Sequence, residues 1–295
     1  MKKMHLSPTL LSNYKKKTSW VVDFVLEDIL RVLLKWQPPN WIIGLHLLLK
    51  TAWRRSYKIE IRPQSISGDG PIEFQLSADP EKFIDIFTLT LHGRVGVRVK
   101  GSDGKWGPVS KDTPKPDNWG VINNFYQSLW SSVTAKVNDC EIGDIANNSY
   151  PYVSYLQTLL GTSASQAANH ILSERGFIKD LAGDYYHGQV TPDMCTQTAD
   201  GPFYLRRKIL LEREFVDFTI PLHNDLLTVE KFLPPNTKLS FTLRKSSDDF
   251  LIWKANTDNN EYKIVWEDLH LKVMLLEVFP HYYQIIKNFW RRLVL

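Results

Sequence analysis

Apolar residues recur along this chain at two different spacings, and the change from one to the other divides it. Over the first 55 residues the spacing is helical: Val21, Val22, Val25, Leu26, Ile29, Leu30 and Leu33 line one side, while Asp23, Glu27 and Arg31 occupy the other. That pattern predicts an amphipathic helix stopped by Pro38-Pro39. A second helix is expected from Trp41 to Trp53, closing on the basic pair Arg54-Arg55, which suits a helix C-terminus.

From Tyr57 the period falls to two. Tyr57, Ile59 and Ile61 alternate with Lys58, Glu60 and Arg62 until Pro63 ends the run, which reads as a half-buried strand. After turn residues at Ser67 to Pro71, Ile72, Phe74 and Leu76 alternate again. Phe87, Leu89 and Leu91, then Val95, Val97 and Val99, form a long alternating run in which Gly93 and Gly96 suggest a bulge or bend. Lys100 to Trp119 is rich in Gly and Pro and reads as a long surface loop carrying two exposed aromatics, Trp106 and Trp119. A short helix is expected within Val121 to Trp130, then a strand through Val133, Ala135 and Val137 to a turn at Asn138-Asp139. Strands resume with a mixed apolar and basic run from Phe203 to Glu214. They continue with Val216 to Leu222, Leu239 to Leu243, Phe250 to Trp253 and Tyr262 to Val278.

One helix interrupts this series. Pro151 fits a first helical turn, and Tyr152, Tyr155, Leu156, Leu159 and Leu160 share one face before Gly161 ends the run. A single apolar stripe must be covered, so the helix is expected to lie on a sheet edge or on a neighbouring subunit. Many short strands, turn signals between them and no βαβ rhythm predict a mainly antiparallel β-sandwich with helical insertions, of which the jelly roll is one solution. The expected divisions are a helical segment over 1–55, the sandwich over 56–279 and an amphipathic tail over 280–295.

Composition narrows the function. At 295 residues and 43% hydrophobic content the chain can bury a large core. A net charge of +4, from 36 basic and 32 acidic residues, does not point to nucleic acid. Cys140 and Cys195 stand far apart, without CxxC spacing or histidines at metal-ligand spacing, so neither a disulfide framework nor a zinc site is expected. Charges at Asp23, Glu27 and Asp28 disfavour a secretory signal, and Trp41 to Leu49 is shorter than the about 20 residues that cross a bilayer. Glycosylation of the Asn147 sequon is not expected. The chain carries no GxSxG, HExxH, P-loop, Rossmann or EF-hand signature. The histidines are scattered, Asp248-Asp249 reads as a polar turn, and Arg206-Arg207-Lys208 reads as edge-strand protection before it reads as a phosphate site. No catalytic residue, cofactor or metal is assigned, and the expectation is a protein that is not an enzyme.

The order of segments then becomes specific. These are IEIRPQSISGDGPIEFQLSADPEKFIDIFTLTLHGRVGVRV, VINNFYQSLWSSVTAKVND and NNSYPYVSYLQTLLGTSASQAANHIL, followed by FIKDLAGD, RRKIL, VDFTIPLHNDLL and LSFTLRKSSDDFLI. In this order they resemble the double-jelly-roll, hexon-like major capsid protein of Polinton/Maverick elements and adintovirus-like DNA viruses. The YPY-x3-L-x2-LL helix is the most diagnostic piece, and the likeness covers roughly Tyr57 to Val278. The resemblance implies a jelly roll that forms trimeric capsomers, works in a virion, self-associates with other capsid proteins and uses no cofactor. It also implies that Tyr152, Tyr155, Leu156, Leu159 and Leu160 form a subunit contact.

Family members carry two jelly rolls, and this sequence matches the first. A truncated or domesticated relic of the element, intracellular and not secreted, is therefore a form of the same reading. Two alternatives stand beside it: a non-enzymatic β-sandwich binding module using Trp106 and Trp119, and a membrane-associated protein held by the N-terminal helices. For those helices a hairpin packed on the domain is preferred to a membrane anchor.

Overall fold

The computed structural model describes residues 53–65, 70–77, 79–109, 118–142, 149–162, 176–180, 201–228, 232–280 and 283–284. The chain divides into two units, 56–277 and 1–55 with 278–295. Of the second, only 53–55, 278–280 and 283–284 are described. The helices expected over 20–52 and most of the tail lie outside the described residues. Arg54-Arg55, expected to close a helix, instead belong to the first strand, β1 (Trp53–Ile61).

Alternation of burial is what makes the strands. In β9 (Val216–Pro221) buried Val216, Phe218 and Ile220 alternate with exposed Asp217 and Thr219. The same rhythm runs through β3 (Ile72–Leu76) and β11 (Leu239–Lys245), whereas β7 (Trp130–Val137) is buried throughout its first four residues and alternates only from Val133 to Lys136. Two strands are unusually long: β4 (Lys82–Lys100) and β13 (Tyr262–Val278), which pair with each other. Short strands complete the set: β2 (Pro63–Ser65), β5 (Trp106–Pro108), β6 (Trp119–Val121), β8 (Cys140–Ile142), β10 (Phe232–Leu233) and β12 (Ile252–Lys254). The Asn138-Asp139 turn has the form expected of it. Both residues take positive φ, 49° and 68°, and Val137 pairs with Cys140 across a two-residue hairpin.

One sheet has the order β1-β13-β4, and the far side of β4 is taken in turn by β10, β9 and β5. The other has the order β2-β3-β11-β7-β8. Consider β1, β3, β4, β7, β8, β9, β11 and β13 as the eight principal strands in chain order. First pairs with eighth, second with seventh, third with sixth and fourth with fifth. This is a long hairpin rolled into two sheets, the jelly roll. The fold is therefore a mainly β, antiparallel sandwich of jelly-roll type with helical insertions.

The core lies between the sheets. Leu91 and Val95 of β4, Ile220 of β9, Leu271 of β13, Leu243 of β11 and Val133 of β7 are completely or almost completely removed from water. Gly93 and Gly96 do not themselves form the bulge expected of them. A Cβ on Gly93 would come 2.6 Å from Leu269 Cδ2, and one on Gly96 would come 2.3 Å from the Glu214 carbonyl oxygen. Both are glycine because neighbours approach closely. The bulge is on the partner strand, where Asp268 (φ 50°) and Leu269 stand opposite Gly93 alone.

Other expectations fail for identifiable reasons. Phe203 to Glu214, read as a strand, holds the helix Pro202–Glu212. Its buried residues Phe203, Arg206 and Leu210 follow helical spacing, but the middle one is charged, which hides the period. Arg206 does not protect an edge. Its Nε donates to the Val121 carbonyl (3.1 Å), and its Nη1 donates to the Ile178 carbonyl and pairs with Asp180, both at 2.8 Å. Trp119, read as exposed, is wholly buried in β6, which pairs with β12. Asp248-Asp249 is not a plain turn but opens the short helix Asp248–Leu251. Asp248 Oδ1 accepts the Ile264 N–H (3.1 Å), and Lys245 Nζ lies 3.0 Å from it.

Candidate functional site: the outward helix

Following the labels for strands, the helices described in the 56–277 unit are α1 (Phe125–Ser128), α2 (Tyr150–Gly161), α3 (Pro202–Glu212) and α4 (Asp248–Leu251). α2 lies against β7 and α1, and what seats it there is its polar side. Tyr150, Pro151 and Ser154 are its buried residues. The Tyr150 hydroxyl donates to Gln127 Oε1 (2.6 Å) and accepts the His223 N–H (3.2 Å), and complete burial pushes its ionisation well above the ordinary tyrosine value. Asn124 Nδ2 donates to Ser154 Oγ (3.1 Å), and Gln127 Nε2 donates to the Pro221 carbonyl (2.6 Å). Further along, Gln157 Oε1 lies 2.6 Å from His223 Nδ1.

Turning that side inward turns the apolar stripe outward. Leu160 is 80% exposed, Tyr152 64%, Leu156 53% and Leu159 36%. Tyr155 is half-buried, its ring 5.7 Å from that of Phe177. Among the described residues, hydrogen-bonding side chains occupy the inner face of the helix against β7, and the stripe does not lie on that sheet. The helix is thus inside out, and its twelve residues include no acid or base. Fully burying one leucine side chain stabilises by roughly 1.5–3 kcal/mol, so covering this surface would bring a sizeable gain that the described residues leave unrealised. The Tyr152 ring stands 6.2 Å from that of Phe250 on α4, which extends the patch onto a second element.

Beneath the C-terminal half of α2 is a cavity of about 160 Å³ lined by Asn124, Gln127, Gln157, Thr158, Gly161, Thr162, Pro221 and His223. It is smaller than the roughly 300 Å³ at which ligand pockets begin, and its lining holds no carboxylate, lysine or arginine. On the outer face of the first sheet, cross-strand His92 and His270 stack at 5.3 Å, a pairing that scattered sequence positions did not reveal. His92 lies 2.8 Å from Thr90 Oγ1 and 2.9 Å from Thr219 Oγ1. Among the described residues no three histidines, cysteines or carboxylates gather where they could hold a metal. Nor is any described helix long and apolar enough to cross a membrane. Trp106 is exposed on β5, as read from the sequence, but Trp119 does not join it at the surface.

No family model matches the chain, and no curated protein does. Among solved structures it is similar to the Sputnik virophage determined by cryo-EM, at 9% identity and TM-score 0.47, over 78% of this chain and 49% of that one. It is similar to the mavirus major capsid protein at 12% identity and TM-score 0.40, over 76% and 47%. The PBCV-1 virus capsid matches at 12% identity and TM-score 0.38, over 78% and 44%. The chain spans about half the length of each.

Proposed function

We propose that this chain is a capsid-type structural protein whose work is self-association, of the kind encoded by Polinton/Maverick elements, whether in a virion or as a relic of such an element. The inside-out α2 carries the reading. An uncharged helix that spends its polar side on its own domain and offers Tyr152 and three leucines to water, with Tyr155 half-buried beside them, is explained by a covering partner. The jelly-roll strand order supports it, and so does the ordered resemblance of the segments around α2. The partner is another copy of the same chain, and the expected product is a small ring, a trimer in the capsid form. No reaction and no cofactor belong to this reading.

The test is absolute mass in solution by light scattering across a range of concentrations. The wild-type chain should form a discrete oligomer. Leu156→Asp with Leu160→Asp should give a folded monomer, because both side chains already face water within one chain. A wild-type protein that stays monomeric at the highest concentration, or a folded double variant that associates unchanged, would refute the proposal.

A further inference from the structure

In a closed ring built by rotation, one copy offers a different surface from the one its neighbour uses. If α2 is one half of such a contact, the other half must be a second exposed apolar feature on the same chain. Outside α2, the large exposed apolar side chains described in the 56–277 unit are Phe87 at 60%, Trp106 at 44% and Leu205 at 37%. Leu205 is the least exposed of the three, and Trp106 follows Lys105. Phe87 is different in how it is presented.

Along the β4–β13 ladder, Thr90 pairs with Lys272 and Asp85 with Met274. Residues 86–89 of β4 therefore stand opposite Val273 alone. Ile86 and Leu89 turn inward to the core, and Phe87 is pushed out between them. The distortion is pinned from both strands. Thr88 Oγ1 donates to the Asp85 carbonyl at 2.7 Å and accepts the Met274 N–H at 2.9 Å. Such a hydrogen-bonded bulge holds an aromatic ring in water at a fixed place. The run Ile86 to Leu91 around it is uncharged, like α2. The two runs themselves bring no charge to desolvate, while Asp85 precedes the one and Asp249 stands next to Phe250 beside the other.

Resting on the self-association reading above, we infer that Phe87 is the reciprocal knob of that contact. It packs on the Tyr152, Leu156 and Leu160 face of α2 in a second copy of this chain, head to tail. The aromatic pair Tyr152 and Phe250 gives the ring an edge to meet.

Mixing two variants tests this. Phe87→Ser and the Leu156→Asp/Leu160→Asp variant should each be folded, by circular dichroism and an unchanged melting profile, and each should associate at least tenfold more weakly than wild type. Mixed in equal amounts they should form a heterodimer, because the intact α2 of the first still meets the intact Phe87 of the second. Phe87→Leu, which keeps an apolar knob, should assemble. If Phe87→Ser assembles like wild type while the α2 variant does not, self-association stands and Phe87 is not the mate. If both variants are monomers and their mixture stays monomeric, the head-to-tail pairing is likewise overturned. If neither variant alters assembly, both readings fall.

Discussion

Tyr150 is the residue on which the placement of α2 turns. Its ring is wholly buried, and its hydroxyl is shared between Gln127 and the backbone of His223. Removing the hydroxyl leaves an acceptor and a donor inside with no replacement, which typically costs about 1–3 kcal/mol. Tyr150→Phe should therefore lower the urea midpoint by an amount equivalent to that loss, without changing the steepness of the transition. Leu160→Ser, on the opposite side of the same helix, should leave the midpoint of the monomer unchanged. Neither role was legible in the sequence. The stripe Tyr152, Tyr155, Leu156, Leu159 and Leu160 was readable as one face, but periodicity says only that a face is apolar, not which way it points. Tyr150 lies off that stripe. Arg206 misled for the complementary reason, since a buried cation satisfied by two carbonyls and Asp180 looks, in sequence, like a surface residue.

At the scale of elements, strict alternation located β3, β9 and β11 well, because each exposes one face and buries the other, and it located β7 through Val133, Ala135 and Val137 although that strand is buried on both faces in its first half. The two long strands were harder to read, since bulges reset their phase at Asp268 and again around Phe87. Those strands also hold the outer-face histidine pair. His92 is held down to about 4, first by burial and then by the nearby positive charges of Lys272, His270 and Lys58, against the pull of Glu60. The fold therefore prefers His92 neutral, while the unfolded chain takes up the proton near the ordinary value of 6.5. Between those two values the unfolded state binds the extra proton, so stability is full above about 6.5, falls as pH drops, and levels off below about 4. His92→Gln should flatten that part of a stability profile measured by urea unfolding from pH 7 to 4. A slope identical to wild type would mean that other groups account for the acid loss.

Taken as a whole molecule, the sandwich is closed by its latest strand. β13 lies between β1 and β4 in the middle of the first sheet, so it is a central member and not an appendage. A chain ending at Lys254, which lacks β13, should show no cooperative thermal transition. Retention of a sharp melt would mean that the remaining strands form a sufficient core. The class of fold was legible from strand spacing and turn residues, whereas the pairing order was not, because pairing is a relation between distant segments that local pattern does not encode.

The union of Tyr57 with Glu277 spans 220 residues of sequence at a hydroxyl-to-carboxylate distance of 2.6 Å. On a ribosome adding about 5–20 residues each second, β13 emerges roughly 10–45 s after β1. Throughout that interval β1 and β4 lie in the nascent chain without the strand that will sit between them, and Leu91 and Val95 have no finished core to enter. Folding dominated by such distant pairings is slow. For a chain that also presents uncharged apolar surface when finished, the hazard during synthesis is pairing with a second nascent copy before its own last strand arrives.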